Sequence, residues 1–571
     1  MKTDIHLSRF ISSLKLVVFA WLVLLGQLVL ADRPNIVFVL TDDQSYGMMG
    51  CDGNQLTQTP NLDRMAKDGI FFERAYVTSA ICTPSRISIF LSQFERKHGV
   101  NFNSGTSVAP EAWAKSYPVL LREAGYYTGY IGKNHAPLGQ GGYDSQLMEK
   151  SFDYFYAGHG HIKFYPKEAH DIFHAAKEDT QAEIITEAVG DFLSNQHRLD
   201  GALHFLETRP EKPFCLSVCF NLPHGAGTST MQMRDSDDAI YRTLYRDIKI
   251  PLPNHYLAKS EIQKPKIPAD ILKVEDRQVG YSYVDHPDTL KERMIRQMQA
   301  MTGIDRMVGK LREKLASEGL AENTILVFCS DHGLFMGQFG LGGKALCYEQ
   351  TTHVPLMIVD PRLPLKSRGK RCRQLVQTID IAPTLLDVAG VAAPECFQGK
   401  SLVPLLNDCE TTVREYVFTE NLWSTHFGNP RIESVQDLRW KYIRYYQNDN
   451  FSATEKIRIA KQLGISVNKM LYAFHDDSIA TYRHYVESSL RGESPIYEEL
   501  FDIESDPAEA NNLIGSSELK DTLDRLRLAW KRELAIARGE GVPKVLRYTA
   551  DSKLESELRK LKKQQKKSAA K

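Results

Sequence analysis

The sequence predicts an α/β fold with a large mixed, mostly parallel sheet flanked by helices, and a smaller C-terminal domain of antiparallel sheet plus helix. Three observations lead to this prediction. Continuous apolar runs recur along the chain, as in strands that are buried on both faces. Short strand-like segments (416–418, 440–446 and 499–502) follow near the C-terminus. The length of 571 residues exceeds that of a usual single domain.

Four apolar, mostly β-branched or aromatic runs are predicted to be strands of the large sheet. They are residues 35–41, 126–131, 214–220 and 324–330. Each run leads into a cluster of polar residues. Because open parallel sheets bind ligands at the carboxyl ends of their strands, we expect these polar clusters to converge on one site.

The polar residues after the first and last of these runs have the chemistry of a metal site. Asp42 and Asp43 follow the first run, and Asp331 and His332 follow the last. Three carboxylates repel each other strongly unless a cation lies among them. Hard oxygen ligands without a thiolate pair favour Ca²⁺ or Mg²⁺ over zinc. Taken singly, an Asp-Asp pair also fits a turn or helix cap, and Asp-His-Gly fits a loop.

The string Cys82-Thr83-Pro84-Ser85-Arg86 precedes an apolar run that reads as a helix. Pro84 suits the first turn of a helix, where the missing N–H costs nothing. Cys82 would then lie at a helix N-terminus, whose free amides and dipole favour anions. A thiol in that place ionises easily and can act as a nucleophile. The alternative interpretation is an ordinary buried cysteine before a helix.

This string resembles the modification signature of the type I sulfatases, Cys-x-Pro-Ser-Arg, within the alkaline phosphatase superfamily. The resemblance continues through further segments in the same order along the chain. These segments are residues 34–43, 59–66, 328–333, 344–349, 354–356, 377–386, 499–507 and 511–513. The resemblance implies a sulfuric ester hydrolase in which Cys82 is oxidised to formylglycine (3-oxoalanine). It also implies a C-terminal helix at about residues 517–537.

The resemblance further implies one bound metal ion per chain, normally calcium. Asp42, Asp43, Asp331 and His332 would hold it together with the formylglycine made from Cys82. His332 stands where many relatives have asparagine, although a histidine also occurs there within the family.

Five more residues take catalytic roles by the same resemblance. Arg86 and Lys133 would hold the hydrated aldehyde and its sulfated form. Lys344 and His224 would contact the sulfate, and one of them would protonate the departing alcohol. His135 would take the proton from the second hydroxyl of the aldehyde hydrate. General acid–base help of this kind is typically worth about 10²–10⁴-fold per group.

Two loops depart from the family pattern. Residues 136–139 read Ala-Pro-Leu-Gly where relatives commonly read Leu-Gly, and Pro-His-x-Pro becomes Pro-His-Gly-Ala at 223–226. The charged residues are retained in both places, so the roles assigned to Lys133, His135 and His224 are kept.

Composition and the N-terminus bear on partners and compartment. Lys and Arg number 71 and Asp and Glu also number 71, so no polyanion-binding surface and no nucleic-acid partner are expected. Basic residues, an apolar run at 16–25 and small residues near 31 are typical of a signal peptide. We therefore expect an exported protein, in a periplasmic, secreted or lysosome-like compartment, without an integral membrane span. An uncleaved signal anchor is the alternative.

The predicted domains are a signal peptide (1–31), a catalytic α/β domain (32–410), a C-terminal α+β subdomain (411–545) and a basic tail (546–571).

Several local segments have their own interpretation. Residues 225–288 are rich in proline and charged residues, and form either a wall of the substrate pocket or a long surface segment without a role. The His159-Gly160-His161 string is predicted to be a loop. Apolar residues at helical spacing between 294 and 315 are predicted to be core. Eight cysteines besides Cys82 permit disulfides, but Cys215, Cys219 and Cys329 fit core positions better.

The sequence thus favours hydrolysis of sulfate monoesters, with a sulfated sugar or glycan as substrate. A formylglycine-generating enzyme is the implied partner during maturation. Two alternatives stay open: a phosphonate monoester or phosphodiester hydrolase on the same core, and an inactive protein that binds sulfated glycans with an unmodified Cys82.

Overall fold

The structure of the protein is a computed structural model. It describes residues 33–100, 106–158, 201–224, 243–272, 281–422, 430–446, 487–541 and 545–547. The predicted signal peptide, the 159–161 loop and the basic tail from 548 onward lie outside these residues. The predicted domain boundaries stay predictions.

Eighteen strands are present in the described residues. They are β1 (Asn35–Asp42), β2 (Ile70–Phe72), β3 (Ala75–Tyr76), β4 (Thr106–Val108), β5 (Tyr127–Lys133), β6 (Tyr154–Gly158), β7 (Phe214–Pro223), β8 (Thr324–Ser330), β9 (Phe335–Met336), β10 (Gly342–Gly343), β11 (Leu356–Val359), β12 (Lys370–Cys372), β13 (Val376–Gln377), β14 (Val417–Asn421), β15 (Arg431–Gln436), β16 (Trp440–Tyr446), β17 (Tyr497–Asp502) and β18 (Val545–Arg547).

The α-helices of the same residues are α1 (Pro60–Asp68), α2 (Cys82–Leu91), α3 (Glu95–His98), α4 (Pro110–Trp113), α5 (Tyr117–Glu123), α6 (Leu147–Lys150), α7 (Ala202–Thr208), α8 (Pro287–Ser317), α9 (Glu349–Thr352), α10 (Ile381–Val388), α11 (Val403–Asn407) and α12 (Lys520–Arg538). Short 3₁₀ helices occupy Gly50–Asp52, Gly142–Ser145, Lys259–Glu261, Ser282–Asp285, Ala321–Asn323, Leu365–Ser367, Thr378–Asp380, Ser488–Arg491 and Ser517–Leu519.

Eight strands form the large sheet, in the order β12-β2-β11-β8-β1-β7-β5-β6. Strands β8, β1, β7, β5 and β6 run parallel to one another, and β11 is antiparallel to both β8 and β2. The mixed, mostly parallel sheet predicted from the sequence is confirmed. β1 lies at its centre, with Val37 opposite Leu216 of β7 and Leu326 of β8.

Alternating residues of β1 pack into two separate hydrophobic cores, because successive side chains of a strand point to opposite faces. Phe38 packs in a core that also contains residues of α2, α5 and α10. Val39 packs in a core that contains residues of α1, α7 and α8. Helices therefore cover both faces of the sheet, which explains why all eight residues of β1 are buried. Met301, at the centre of the predicted helical stripe, is fully buried.

The C-terminal part of the chain forms an antiparallel sheet in the order β14-β15-β16-β17, and α12 packs against it. This confirms the antiparallel sheet and helix that the sequence predicted near the C-terminus. β15 was not predicted from the sequence, because Arg431 and Glu433 interrupt its apolar pattern. Both side chains are nevertheless buried and engaged in ion pairs.

All nine cysteines are free thiols in this structure. Cys215 and Cys219 lie in β7 and Cys329 lies in β8, each at 2% exposure or less, as the core interpretation predicted. No helix of the described ranges is long and apolar enough to cross a membrane.

A buried ion-pair network joins α3 to the C-terminal sheet and to α12. Arg96 of α3 bonds Glu420 of β14 at 2.7 Å and Glu433 of β15 at 2.6 Å, and Trp530 of α12 donates to Glu433 at 3.0 Å. The side chains of Arg96 and Glu420 are fully buried. Burial raises the pKa of Glu420, and Arg96 opposes that rise.

Replacing Arg96 with methionine should lower the free energy of unfolding by about 3–5 kcal/mol near neutral pH, because two carboxylates lose their buried partner. Without Arg96 the folded-state pKa of Glu420 rises further above its unfolded value. The folded variant then holds its proton more tightly than the unfolded chain, so the loss should shrink as the pH falls toward 5. Urea unfolding at pH 5 and pH 8 measures this.

The matched control is Arg122→Met, which removes the partly exposed ion pair with Asp153. Exposed pairs contribute about 0–1 kcal/mol, so this variant should unfold like the parent protein at both pH values. Equal losses in the two variants, or a larger loss for Arg96→Met at pH 5, would contradict the prediction.

Candidate active site

The carboxyl ends of β1 and β8 lie side by side at the centre of the sheet. Asp42 is the last residue of β1, and Asp43 follows it with a left-handed backbone (φ +60°). The Asp43 N–H donates to Asp331 Oδ1 at 3.2 Å, and the Asp331 N–H donates to the Thr41 carbonyl at 3.1 Å. These bonds hold the two acidic turns against each other, as the sheet-edge argument predicted.

Helix α2 begins at Cys82 itself, and this residue is 1% exposed. Pro84 lies in the first turn, as expected from its missing N–H. The Ser85 hydroxyl donates to the Asp331 carbonyl at 2.5 Å, which fixes the start of the helix against the end of β8. The sequence placed Cys82 just ahead of the helix, and the difference is one residue.

Four of the predicted residues form a compact group of potential metal ligands. Asp42, Asp43, Cys82 and His332 are all buried, and one ligand atom from each lies within 4.8 Å of the others. His332 Nε2 lies 3.2 Å from Cys82 Sγ, and His332 Nδ1 lies 3.3 Å from Asp43 Oδ1. Residues 289 positions apart in the sequence therefore meet at one point.

Asp331 lies beside this group rather than inside it. Its Oδ1 accepts the Asp43 N–H, and its Oδ2 accepts Arg86 Nε at 2.8 Å. Its Oδ1 is 3.7 Å from His332 Nε2. Its predicted role as a metal ligand stays a prediction.

Three cations face the three carboxylates. Lys133 Nζ forms an ion pair with Asp42 Oδ2, and Arg86 reaches Asp42 Oδ1 at 4.0 Å. Lys344 Nζ bonds Asp43 Oδ1 at 2.9 Å and Cys82 Sγ at 3.0 Å. All of these side chains are 3% exposed or less, so water screens their charges weakly.

The protonation states follow from burial and from these neighbours. Burial raises the pKa of Asp42 well above its ordinary value, and Lys133 opposes that rise. Burial also acts to raise the pKa of Asp331, but its interactions with His332, Arg86, Lys133 and Lys344 outweigh burial, so the pKa of Asp331 falls below its usual range. Burial lowers the pKa of His332, so its imidazole is neutral near pH 7.

Lys344 is protonated in this environment. Burial alone would lower its pKa, but the opposing attraction of Asp43 and of Cys82 is stronger, and the pKa of Lys344 lies well above its ordinary value. A protonated amine thus lies 3.0 Å from the Cys82 sulfur.

The structure brings His224 to the same cluster. It follows β7, its backbone N–H donates to the Asp42 carbonyl at 3.1 Å, and its ring Nε2 lies 3.5 Å from Asp43 Oδ2. His135 is buried two residues beyond β5, with a left-handed backbone (φ +44°) and its ring 6.4 Å from that of Tyr143. The predicted role of His135 in proton transfer stays a prediction.

The donor set fits a divalent cation. Asp43 Oδ2 is buried and accepts no hydrogen bond from the described residues, although His224 Nε2 lies 3.5 Å away. A buried carboxylate oxygen without a donor is costly unless another partner, such as a cation, satisfies it. Two carboxylates and a neutral imidazole that converge within 4.8 Å can supply that coordination.

Sequence reasoning missed three residues next to His224. Arg293 of α8 donates from Nη2 to the His224 carbonyl at 2.6 Å, and its guanidinium lies 5.0 Å from the centre of the Tyr283 ring. The rings of Tyr283 and Tyr281 are 5.9 Å apart. Tyr281 and Tyr283, at the end of the 225–288 segment, therefore lie near the cluster, and the pocket-wall interpretation stays a prediction. An arginine within an apolar helical stripe was the available signal for Arg293.

Two family models match the chain. The model described as Sulfatase covers residues 34–391, and the model described as N-sulphoglucosamine sulphohydrolase, C-terminal, covers residues 337–456.

Several curated proteins are similar over most of their length. An N-acetylglucosamine-6-O-sulfatase of Bacteroides thetaiotaomicron is 26% identical over 85% of this chain and 83% of its own. An arylsulfatase of Clostridium perfringens is 27% identical over 91% of this chain and 97% of its own.

Solved structures share the fold. A protein in complex with its substrate D-glucosamine-2-N,6-O-disulfate aligns with a TM-score of 0.64 at 21% identity, covering 90% of this chain and 99% of that one. A phosphonate monoester hydrolase of Agrobacterium radiobacter aligns with a TM-score of 0.62 at 18% identity, covering 89% and 95%.

Proposed function

Because the chain belongs to the sulfatase family, we propose that it hydrolyses sulfate monoesters of carbohydrates, with Cys82 converted to formylglycine and one calcium ion bound. The observation that carries the proposal is the position of Cys82. Its sulfur lies at the start of α2, 3.0 Å from Lys344 Nζ and 3.2 Å from His332 Nε2, within a group of metal-ligating atoms.

The charge of the cluster suits an anionic ester. Arg86, Lys133 and Lys344 balance the three carboxylates, with His332 neutral. A divalent cation would make the site positive by two charges, which complements the sulfate and the charge that grows on the leaving oxygen. Asp42, Asp43, His332 and position 82, with Asp331 beside them, would hold the metal, which would supply Lewis-acid stabilisation of that charge.

Residues of the protein itself supply the nucleophile, bind the sulfate and transfer the protons. Conversion of Cys82 supplies an aldehyde, and addition of water makes it a geminal diol. The sulfate ester of this diol can release sulfate by elimination, which re-forms the aldehyde, where a serine ester would need a further hydrolysis. Arg86 and Lys133 orient that group, and Lys344 binds a sulfate oxygen. Lys344 or His224 gives a proton to the departing alcohol, and His135 takes one from the remaining hydroxyl.

Relatives support a sugar as the substrate. The names of the Bacteroides thetaiotaomicron relative and of the aligned complex both specify a sulfated glucosamine. We extend this class to the chain, together with export through the 1–31 segment and maturation by a formylglycine-generating enzyme. N-terminal sequencing of the mature protein tests the export step, since removal of the signal predicts a start near Asp32.

The function is tested with the purified protein on a panel of sulfated monosaccharides and disaccharides, with release of sulfate as the readout. Peptide mass spectrometry around Cys82 accompanies the assay, because conversion of the thiol to an aldehyde lowers the mass. Sulfate release by converted protein supports the proposal. Binding of sulfated sugars by fully unconverted protein, with no release, would favour the binding-only alternative.

A phosphonate monoester or phosphodiester hydrolase is the second candidate, and the alignment with the Agrobacterium radiobacter enzyme favours it. The same cationic cluster stabilises a phosphonate as well as a sulfate. Rates on an aryl sulfate, an aryl phosphonate and an aryl phosphodiester separate the two. Turnover of the phosphorus esters without the sulfate would replace the proposed function.

Removal of divalent metal should inactivate the enzyme and destabilise it. Without a cation, Asp42 and Asp43 repel each other in a buried site, so the melting temperature should fall. Saturating calcium should restore it, since a ligand present at 100 times its Kd stabilises by about 2.7 kcal/mol. Thermal unfolding after chelator treatment, with and without added Ca²⁺ or Mg²⁺, measures this. An unchanged melting temperature and full activity after verified metal removal would contradict the prediction.

A further inference from the structure

The segment that leads into Cys82 is held by the C-terminal sheet. The Glu420 N–H donates to the Thr78 carbonyl at 2.9 Å, and the Thr419 hydroxyl donates to the Val77 carbonyl at 2.7 Å. Asn421, the last residue of β14, accepts the Ala80 N–H at 3.1 Å. The free edge of β14 thus docks along residues 77–80.

Asn421 also accepts a hydrogen bond from Ser79, whose hydroxyl lies 3.1 Å from its Oδ1 and 2.8 Å from Glu95 Oε2. The single Ser79 proton can serve only one of these acceptors. Burial raises the pKa of Glu95 well above its ordinary value, and the hydrogen bond from Ser79 opposes that rise. The Ser79 hydroxyl therefore lies between Glu95 and Asn421 and contacts both side chains.

The same segment is fixed from the opposite side. The Ala345 N–H donates to the Ala80 carbonyl at 3.1 Å, and Ala345 directly follows Lys344. The Asn421 Nδ2 also points to Cys347 Sγ at 3.8 Å, on the loop after Lys344. Asn421 therefore contacts both the segment before Cys82 and the loop after Lys344, and it is fully buried.

From these contacts we infer that Asn421 is a positioning residue for the reaction: it sets the distance between the nucleophile at position 82 and Lys344. The inference rests on the proposed function, because it assigns Asn421 a role in that chemistry. Asn421 touches no reacting atom. It acts through the backbone of Ala80. The Asn421 side chain accepts the Ala80 N–H, and the Ala80 carbonyl accepts the N–H of Ala345, which follows Lys344.

The test compares Asn421→Ala with Thr419→Val. Thr419 is a matched control: it lies on the same strand, is buried, and its hydroxyl bonds Val77, three residues farther from Cys82 than Ala80 is. Both variants lose buried hydrogen bonds and should lose thermal stability. Only Asn421→Ala should lower kcat, by about 100-fold as expected for a misplaced reacting group, with KM within about threefold. Rates are normalised to the formylglycine content of each variant.

A second readout does not depend on turnover. In protein made without the converting enzyme, alkylation of the Cys82 thiol by iodoacetamide should be about tenfold faster in Asn421→Ala than in Thr419→Val, because the segment opens more often. Asn421→Asp keeps the acceptor for Ala80 and Ser79, so it should recover most of kcat. If Asn421→Ala does not fold, Ser79→Ala serves instead, with a smaller loss of kcat expected.

The two proposals fail in different ways. If the wild-type protein releases no sulfate from any substrate, the proposed function fails whatever the variants do. If the wild type is active, but Asn421→Ala retains the kcat and the alkylation rate of Thr419→Val, the positioning role is overturned.

Discussion

Replacement of Cys82 by alanine is expected to reduce sulfate release by a factor on the order of 10⁴ or more, because it removes the nucleophile itself. The fold should survive, since Cys82 contributes only a small side chain to the first turn of α2. Calcium binding should weaken but persist, because Asp42, Asp43 and His332 remain. Initial rates on a sulfated sugar, circular dichroism and calcium titration measure these effects.

The matched control for this variant is Cys215→Ala. Cys215 is equally buried, but it lies in β7 and faces the core. The control should lose stability in proportion to the small cavity it creates, while keeping its rate within about threefold. A Cys82→Ala protein with a near-normal rate would rule out the proposed nucleophile.

The second large effect is expected for Lys344→Met. The substitution removes a cation that lies 3.0 Å from Cys82 Sγ and 2.9 Å from Asp43 Oδ1, so both sulfate binding and proton donation should suffer. We expect kcat/KM to fall by about 10²–10⁴-fold. If Lys344 protonates the leaving alcohol, the loss should be largest for alkyl sulfates and smallest for aryl sulfates, whose leaving groups need no proton.

Lys441→Met provides the comparison. Lys441 is equally buried between Glu349 and Glu509, at 2.7 and 2.8 Å, but it lies in the C-terminal sheet. Its loss should destabilise the protein by several kcal/mol, as for other buried pairs, without a selective fall in kcat/KM on alkyl sulfates. Equal kinetic losses in the two variants would show that Lys344 acts through stability alone.

The strands that carry the cluster could be predicted because their signal is local. β1 and β8 are unbroken apolar runs that end in acidic turns, and burial on both faces requires that pattern. The convergence of Asp42, Asp43 and Asp331 then followed from the geometry of parallel strands. The roles of the individual side chains came from the family resemblance rather than from the pattern.

The contacts of Asn421 and Arg293 and the strand β15 could not be predicted, because they depend on segments that are distant in the sequence. Asn421 is an ordinary polar residue at a strand end, and its partner Ala80 is 341 positions away. β15 contains charged residues that form ion pairs with partners on α3 and on a distant loop. Likewise, Arg293 gains its role only when α8 lies beside the end of β7.

The docking of β14 on residues 77–80 has a consequence for the order of events during synthesis. Thr419 is made 342 residues after Val77, which takes roughly 20–70 s at usual rates of translation. Until then, nothing from β14 holds the stretch that ends at Cys82. Cys82 therefore leaves the ribosome tens of seconds before the strand that fixes the segment ahead of it.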